Sequence, residues 1–243
     1  MPLLVWVVYP YLCLAVLVVG SLYRYDTDPM GWSAHSSEFL ERRRLRLGSL
    51  LFHWGIVFVF LGHVAGLLVP LSVYRSLGVG DSLYHAFALV LGGASGLAAL
   101  AGASLLLARR LSVPRVRRTT TPGDFLTLAL LLVTVGLGLA STLGWNLTHG
   151  PYEYRSTVAP WLRGILTLSP NPALMEGVPL VLKLHILAAF LLFALSPFTR
   201  LVHIWSLPLA YLRRAPLQYR RRFPAPAPSR EVSRRGGDRA RVS

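Results

Sequence analysis

Residues 51–63 read LFHWGIVFVFLGH, and whether this stretch lies in water or in lipid decides the fold. From about residue 48 to residue 70 there is no acidic side chain, no lysine and no arginine, only His53 and His63. Crossing the hydrocarbon of a bilayer takes about 20 mostly apolar residues in a helix, so this run is long enough to span. Four further runs qualify, at roughly 3–22, 83–108, 124–144 and 179–207. The 243-residue chain is 53% hydrophobic and only 14% charged, with mean hydropathy +0.52, too apolar for an ordinary soluble domain. The expected fold is an all-α membrane protein of five transmembrane helices. The first run lacks a basic leader and is long enough to span, so it reads as a retained helix rather than a cleaved signal.

The arginines set the expected orientation. The connection between the first two runs carries Arg24, Arg42, Arg43, Arg44 and Arg46, and the third carries Arg109, Arg110, Arg115, Arg117 and Arg118. The second connection carries only Arg75, and the fourth carries Arg155 and Arg163. Basic residues mark the cytoplasmic side of a membrane helix. This alternation places the N-terminus outside and the C-terminus in the cytoplasm, in a prokaryotic plasma (inner) membrane. Residues 1–211 form the five-span unit. Residues 212–243, rich in Arg, Pro and Gly, form an extended basic tail suited to anionic lipid or to a cytoplasmic partner. No nucleic-acid module accompanies the charge, so nucleic acid is not an expected partner. Cys13 is the only cysteine, which excludes an intrachain disulfide, a C-x-x-C-H haem attachment and a cysteine-ligated cluster.

Seven histidines are present. His35 and His149 fall in connections, and His85 at the outer start of the third run. His53, His63, His185 and His203 fall inside runs. Ionisable side chains within a membrane mark function by default. With alternating helix directions, His53 shares a depth with His203 near the cytoplasmic face, and His63 shares one with His185 near the outer face. Two imidazoles facing each other at one depth suit the two axial positions of a b-type haem iron. The ten- and eighteen-residue spacings rise roughly 15 and 27 Å along helices, which points to two haems, one near each face. The unequal rises do not fit two straight parallel helices, and Pro197, between His185 and His203, is positioned to kink the last one. Zinc needs three or four converging ligands, and a proton pump usually carries Asp or Glu within its spans. Neither pattern is present. A haem-free anchor or transporter remains the reading of a different class.

These residues resemble the cytochrome b (gamma) subunit of membrane-bound respiratory nitrate reductase over about residues 9 to 212. The likeness rests on YPYL at 9–12, FHWGIVFVFLGH at 52–63, GGASG at 92–96, PRVRRTTTPGD at 114–124 and FTRLVHIWSLP at 198–208. The resemblance implies five spans and two haems b, with His63 and His185 on the distal (outer) haem and His53 and His203 on the proximal (inner) one. It implies oxidation of menaquinol or ubiquinol on the outer side. Electrons would pass by the distal and then the proximal haem to an iron–sulfur (beta) subunit on the cytoplasmic face, and on to a molybdenum-containing catalytic (alpha) subunit that reduces nitrate. This chain alone would not reduce nitrate. A related subunit feeding a sulfur-compound or heterodisulfide-type reductase is the alternative within electron transfer.

Other residues carry weaker expectations. Arg200, one turn before His203, and Arg115 suit a haem propionate or equally a cytoplasmic anchor. Gly62, beside His63, leaves room for a porphyrin, while Gly92, Gly93 and Gly96 serve equally for close helix approach. His85, Tyr84 and Lys183, the only lysine, are the candidates for hydrogen bonding and proton transfer to quinol.

Overall fold

In the computed structural model, residues 1–28, 32 and 39–205 are described; His35 and the expected basic tail at 212–243 lie outside them. Five helices are long and apolar enough to cross a membrane: α1 (Leu4–Thr27), α2 (Arg43–Leu68), α3 (Asp81–Ser112), α4 (Pro122–His149) and α5 (Leu180–Phe198). Among the described residues there is no strand. The helices outrun the apolar runs because charged ends continue the helical hydrogen bonding into the polar zone. Thus α2 begins at Arg43 and α3 reaches Ser112, beyond Arg109 and Arg110.

The closest helix pair is α2 with α3, and glycine makes it possible. A Cβ on Gly55 would stand 2.5 Å from the Ala99 nitrogen and 2.8 Å from the Ser95 carbonyl. A Cβ on Gly102 would stand 2.7 Å from the Gly48 carbonyl and would collide with the Phe52 nitrogen. Backbone therefore lies on backbone, as small residues allow between helices in lipid. On its other side α3 receives α4: Leu139 fills the space over Gly96, and Leu143 the space over Gly93.

The excursion between α4 and α5 covers one end of the bundle with a short helix, Val158–Leu166. Trp161, 1% exposed, donates its indole N–H to the Trp6 carbonyl at 2.9 Å and meets the Trp6 ring edge-on. Arg163 donates to the Leu67 carbonyl at the end of α2.

The fifth run is not a single helix. The α-helical part of α5 ends at Leu195, a tight turn covers Ser196–Phe198, and Thr199 is extended. A 3₁₀ segment, Arg200–Trp205, follows. The expected kink at Pro197 is thus a break. Groups freed there find partners: Arg24 of α1 donates to the Pro197 carbonyl at 2.9 Å, and the Trp205 indole donates to Ser196 Oγ at 2.8 Å. The break removes the conflict between the two spacings, because His185 and His203 do not lie on one straight helix.

Candidate functional site

The four intramembrane histidines meet in two pairs. The rings of His63 and His185 have centroids 6.0 Å apart and planes inclined by 35°. Those of His53 and His203 lie 6.5 Å apart, inclined by 50°. These are the pairings expected from depth. A metal–imidazole bond of about 2 Å plus a nitrogen-to-centroid distance of about 1.2 Å on each side sets trans ligands about 6.4 Å apart. Both pairs match that separation.

The orientation of each ring is fixed through Nδ1. His53 Nδ1 is 2.8 Å from the Ser49 carbonyl, His63 Nδ1 2.7 Å from the Val59 carbonyl and His185 Nδ1 2.9 Å from the Thr134 carbonyl. His203 Nδ1 points at the Arg200 carbonyl. A carbonyl only accepts, so each Nδ1 carries the proton and each Nε2 the lone pair. That is the tautomer an imidazole needs to ligate through Nε2, with its remote N–H anchored. Among the described residues no three His, Cys, Asp or Glu side chains converge on one point. Each pair therefore offers two ligands, in the manner of an axial pair.

Two glycines shape the His63/His185 end. Gly62, beside His63, has nothing within 4 Å of where a Cβ would be, so that flank is open. Gly138 of α4 faces the other ligand: its Cβ would stand 3.0 Å from His185 Cε1 and 3.2 Å from Nδ1. Sequence reading singled out Gly62 and missed Gly138, since the signal, a glycine at mid-helix, is common among membrane spans.

The candidate propionate partners sit at the opposite end. Arg200 is engaged with Asp124, donating from Nη2 to Oδ2 at 2.8 Å as well as from Nε to Oδ1. Arg110 approaches the same carboxylate at 3.6 Å. Asp124 is buried at the start of α4, where Thr121 and Asp124 cap the helix reciprocally. Arg115 is exposed on a short helix, Pro114–Arg118. Deeper, the buried Arg109 is met by Glu41, Nε to Oε2 at 2.8 Å.

At the His63/His185 end the structure assembles a polar cluster only partly foreseen. Arg155, 2% exposed, donates from Nη2 to Asp81 Oδ1 at 2.8 Å and from Nε to Glu153 Oε1 at 2.7 Å. Its guanidinium lies 3.8 Å from the centroid of the Tyr84 ring. The Tyr84 hydroxyl shares a 2.7 Å hydrogen bond with that of Tyr154, and His85 Nε2 is 3.2 Å from Glu153 Oε2. A Cβ on Gly66 would collide with the Tyr154 hydroxyl and stand 2.8 Å from that of Tyr84. Gly66 lies three residues beyond His63, in the π-helical segment Val64–Leu68 that ends α2, so the cluster sits at the same end of α2 as His63. Burial raises the Glu153 carboxyl, but hydrogen bonds and charge from Arg155, with a smaller part from His85, outweigh it and hold the group below the usual carboxylate range. Burial and the bond to Tyr84 push the Tyr154 phenol up. Lys183 stands apart, its Nζ donating to the Glu176 carbonyl at 3.0 Å. Of the three quinol-site candidates, Tyr84 and His85 are thus in the cluster. His149 ends α4, stacked on Trp145 at 4.0 Å.

Five helices able to span a membrane, holding histidines paired at two levels, define a polytopic helix bundle. Residues 2–222 match the family model described as the nitrate reductase gamma subunit, and the chain belongs to that family. It is 46% identical over 219 residues to the nitrate reductase gamma chain of Bacillus subtilis, covering 90% of this chain and 98% of that one. It is 39% identical over 208 residues to the respiratory nitrate reductase 1 gamma chain of Escherichia coli, covering 85% and 92%. The nitrate reductase-like protein NarX of Mycobacterium tuberculosis is 41% identical over 220 residues, which are 90% of this chain and 34% of that longer protein.

Proposed function

We propose that this chain is the quinol-oxidising, dihaem cytochrome b subunit of a respiratory nitrate reductase in a prokaryotic plasma membrane. The observation that carries the reading is the pair of histidine couples, 6.0 and 6.5 Å apart, each ring anchored through Nδ1 to a backbone carbonyl so that Nε2 keeps the lone pair a haem iron needs. His63 and His185 hold the distal haem b near the outer face; His53 and His203 hold the proximal one near the cytoplasmic face. When bound, the haems supply a one-electron path between quinol and the partner subunits. The protein's part is to fix ring orientation, leave the Gly62 flank open to a flat macrocycle, and keep Gly138 small behind His185.

The basic connections support a cytoplasmic position for the His53/His203 end, with Arg109, Arg110, Arg115 and Arg200. The beta and alpha subunits of the reductase dock there. Quinol, as menaquinol or ubiquinol, binds at the His63/His185 end, where His85 accepts a proton and Tyr84 hydrogen-bonds to the quinol oxygen.

A pyridine haemochrome assay on the purified complex tests the reading. Two b-type haems per gamma chain are expected, falling to one in His63→Ala or His185→Ala with loss of quinol oxidation, and to the other one in His203→Ala. A colourless chain, or two unchanged b signals in these variants, overturns it.

A further inference from the structure

We infer that Glu153, held by the buried Arg155 and Asp81, is the second proton carrier of the quinol site and passes protons from His85 to the outer solvent. The inference rests on the quinol-oxidation reading above and deepens it. Oxidising a quinol frees two protons at a site bordered by the apolar spans, and one imidazole takes only one at a time. His85 Nε2 stands 3.2 Å from Glu153 Oε2, within reach of direct transfer after slight tightening. The Glu153 side chain is 31% exposed against 18% for His85, so the carboxylate is the partner nearer water. Arg155, with its side chain wholly enclosed, grips both Glu153 oxygens and Asp81, so the acceptor oxygen stays facing the imidazole.

The step balances as follows. A quinol O–H breaks and its proton goes to His85 Nδ1, while one electron passes to an oxidised b-type haem, the one that His63 and His185 would hold. The imidazolium gives its Nε2 proton to Glu153, which releases it to outer water. That leaves His85 protonated on Nδ1; ring rotation or proton exchange with outer water restores the Nε2–H form, after which the second O–H repeats the sequence, the second electron leaves by the same path, and the product is quinone. The titratable or charged groups facing Glu153 and His85 are Asp81, Tyr84, Tyr154 and Arg155. Arg155 and Asp81 are positioning residues.

The test uses the assembled reductase complex, with menadiol as the quinol and the rate of bound-haem reduction as the readout between pH 6 and pH 8. Dithionite gives the total haem. Glu153→Gln is expected to slow reduction by menadiol about tenfold at unchanged total haem, with Glu153→Asp recovering most of the rate. His85→Gln is expected to be slow as well. Wild-type rates in Glu153→Gln across that pH range, with His85→Gln slow, overturn the relay and leave the quinol-site reading standing. Wild-type rates in His85→Gln overturn the site reading itself. Should Glu153→Gln fail to assemble, the pH profile of Glu153→Asp decides: a profile identical to wild type overturns the relay, and an altered one supports it.

Discussion

At the scale of the residue, each of the four paired histidines is held by a group outside the pair. Gly138 is the sharpest instance. Its missing Cβ is the space that the His185 ring occupies, at 3.0–3.2 Å from where that carbon would be. Gly138→Val therefore displaces His185, and the expected result is loss of the His63/His185 haem alone, halving the haem in a pyridine haemochrome assay. Full haem content would show that α4 gives way instead. Asp124 acts at one remove from His203. It fixes the side chain of Arg200, whose carbonyl receives the His203 Nδ1–H. Asp124→Asn loosens that segment, so one low-spin haem signal should broaden or shift in its redox titration while the other stays put. Glu153 carries a pH consequence. Its carboxyl is lower in the folded protein than its ordinary value of 4.5. Its ion pair therefore contributes stability that is present above that value and is lost as pH falls through the depressed one. Thermal unfolding of wild type and Glu153→Gln should differ at pH 6 and converge as the pH falls below about 4.

At the scale of the element, α2 is the helix on which both ligand pairs depend, and its contact with α3 is backbone against backbone. Leucine at a glycine of this contact has nowhere to go, because the opposing atoms are main chain. Gly102→Leu should cost about 1–3 kcal/mol or more and strip both haems together, seen as a lower melting temperature and a proportionate loss of both b signals. Loss of only one signal would mean that α2 pivots rather than shifts. The five helices were legible in the sequence because hydropathy over 20 residues is a bulk property that no local detail overrides. Their ends were not, since Arg43–Leu47 and Arg109–Ser112 are polar yet helical, and hydropathy stops counting where the bilayer core does. The histidine pairs were legible because topology alone matches depths. The break at Pro197 was half-legible: proline announces a missing hydrogen bond, but whether a helix bends or stops depends on who receives the freed groups, here Arg24 and Trp205. The Arg155 cluster stayed hidden, since Glu153 and Arg155 in a connection look like solvated charges until α3 brings Asp81, Tyr84 and His85 against them.

At the scale of the whole molecule, function depends on which end faces which side. On the proposed reading, quinol protons must leave on the outer side while electrons move inward, or the reaction builds no membrane potential. Nothing within the bundle sets this direction; the two ligand pairs are chemically alike, and exchanging the faces leaves every contact intact. The connections set it. Arg42 before α2 and Arg43, Arg44 and Arg46 in its first turns, with Arg115, Arg117 and Arg118 after α3, crowd the His53/His203 end, while Arg75 is the one basic residue in the connection between α2 and α3. Translocating that many arginines is strongly disfavoured, so the proposed reading keeps the His53/His203 end in the cytoplasm. Single cysteines read this directly. The sole native cysteine, Cys13, is 4% exposed and is removed as Cys13→Ser. In that background His149→Cys lies at the end of α4 that belongs with His63 and His185, and Thr119→Cys lies at the other end. An impermeant maleimide added to intact spheroplasts should label His149→Cys and leave Thr119→Cys untouched until the membrane is opened. The reverse pattern would put quinol oxidation on the cytoplasmic side and remove the charge separation, even with both haems in place.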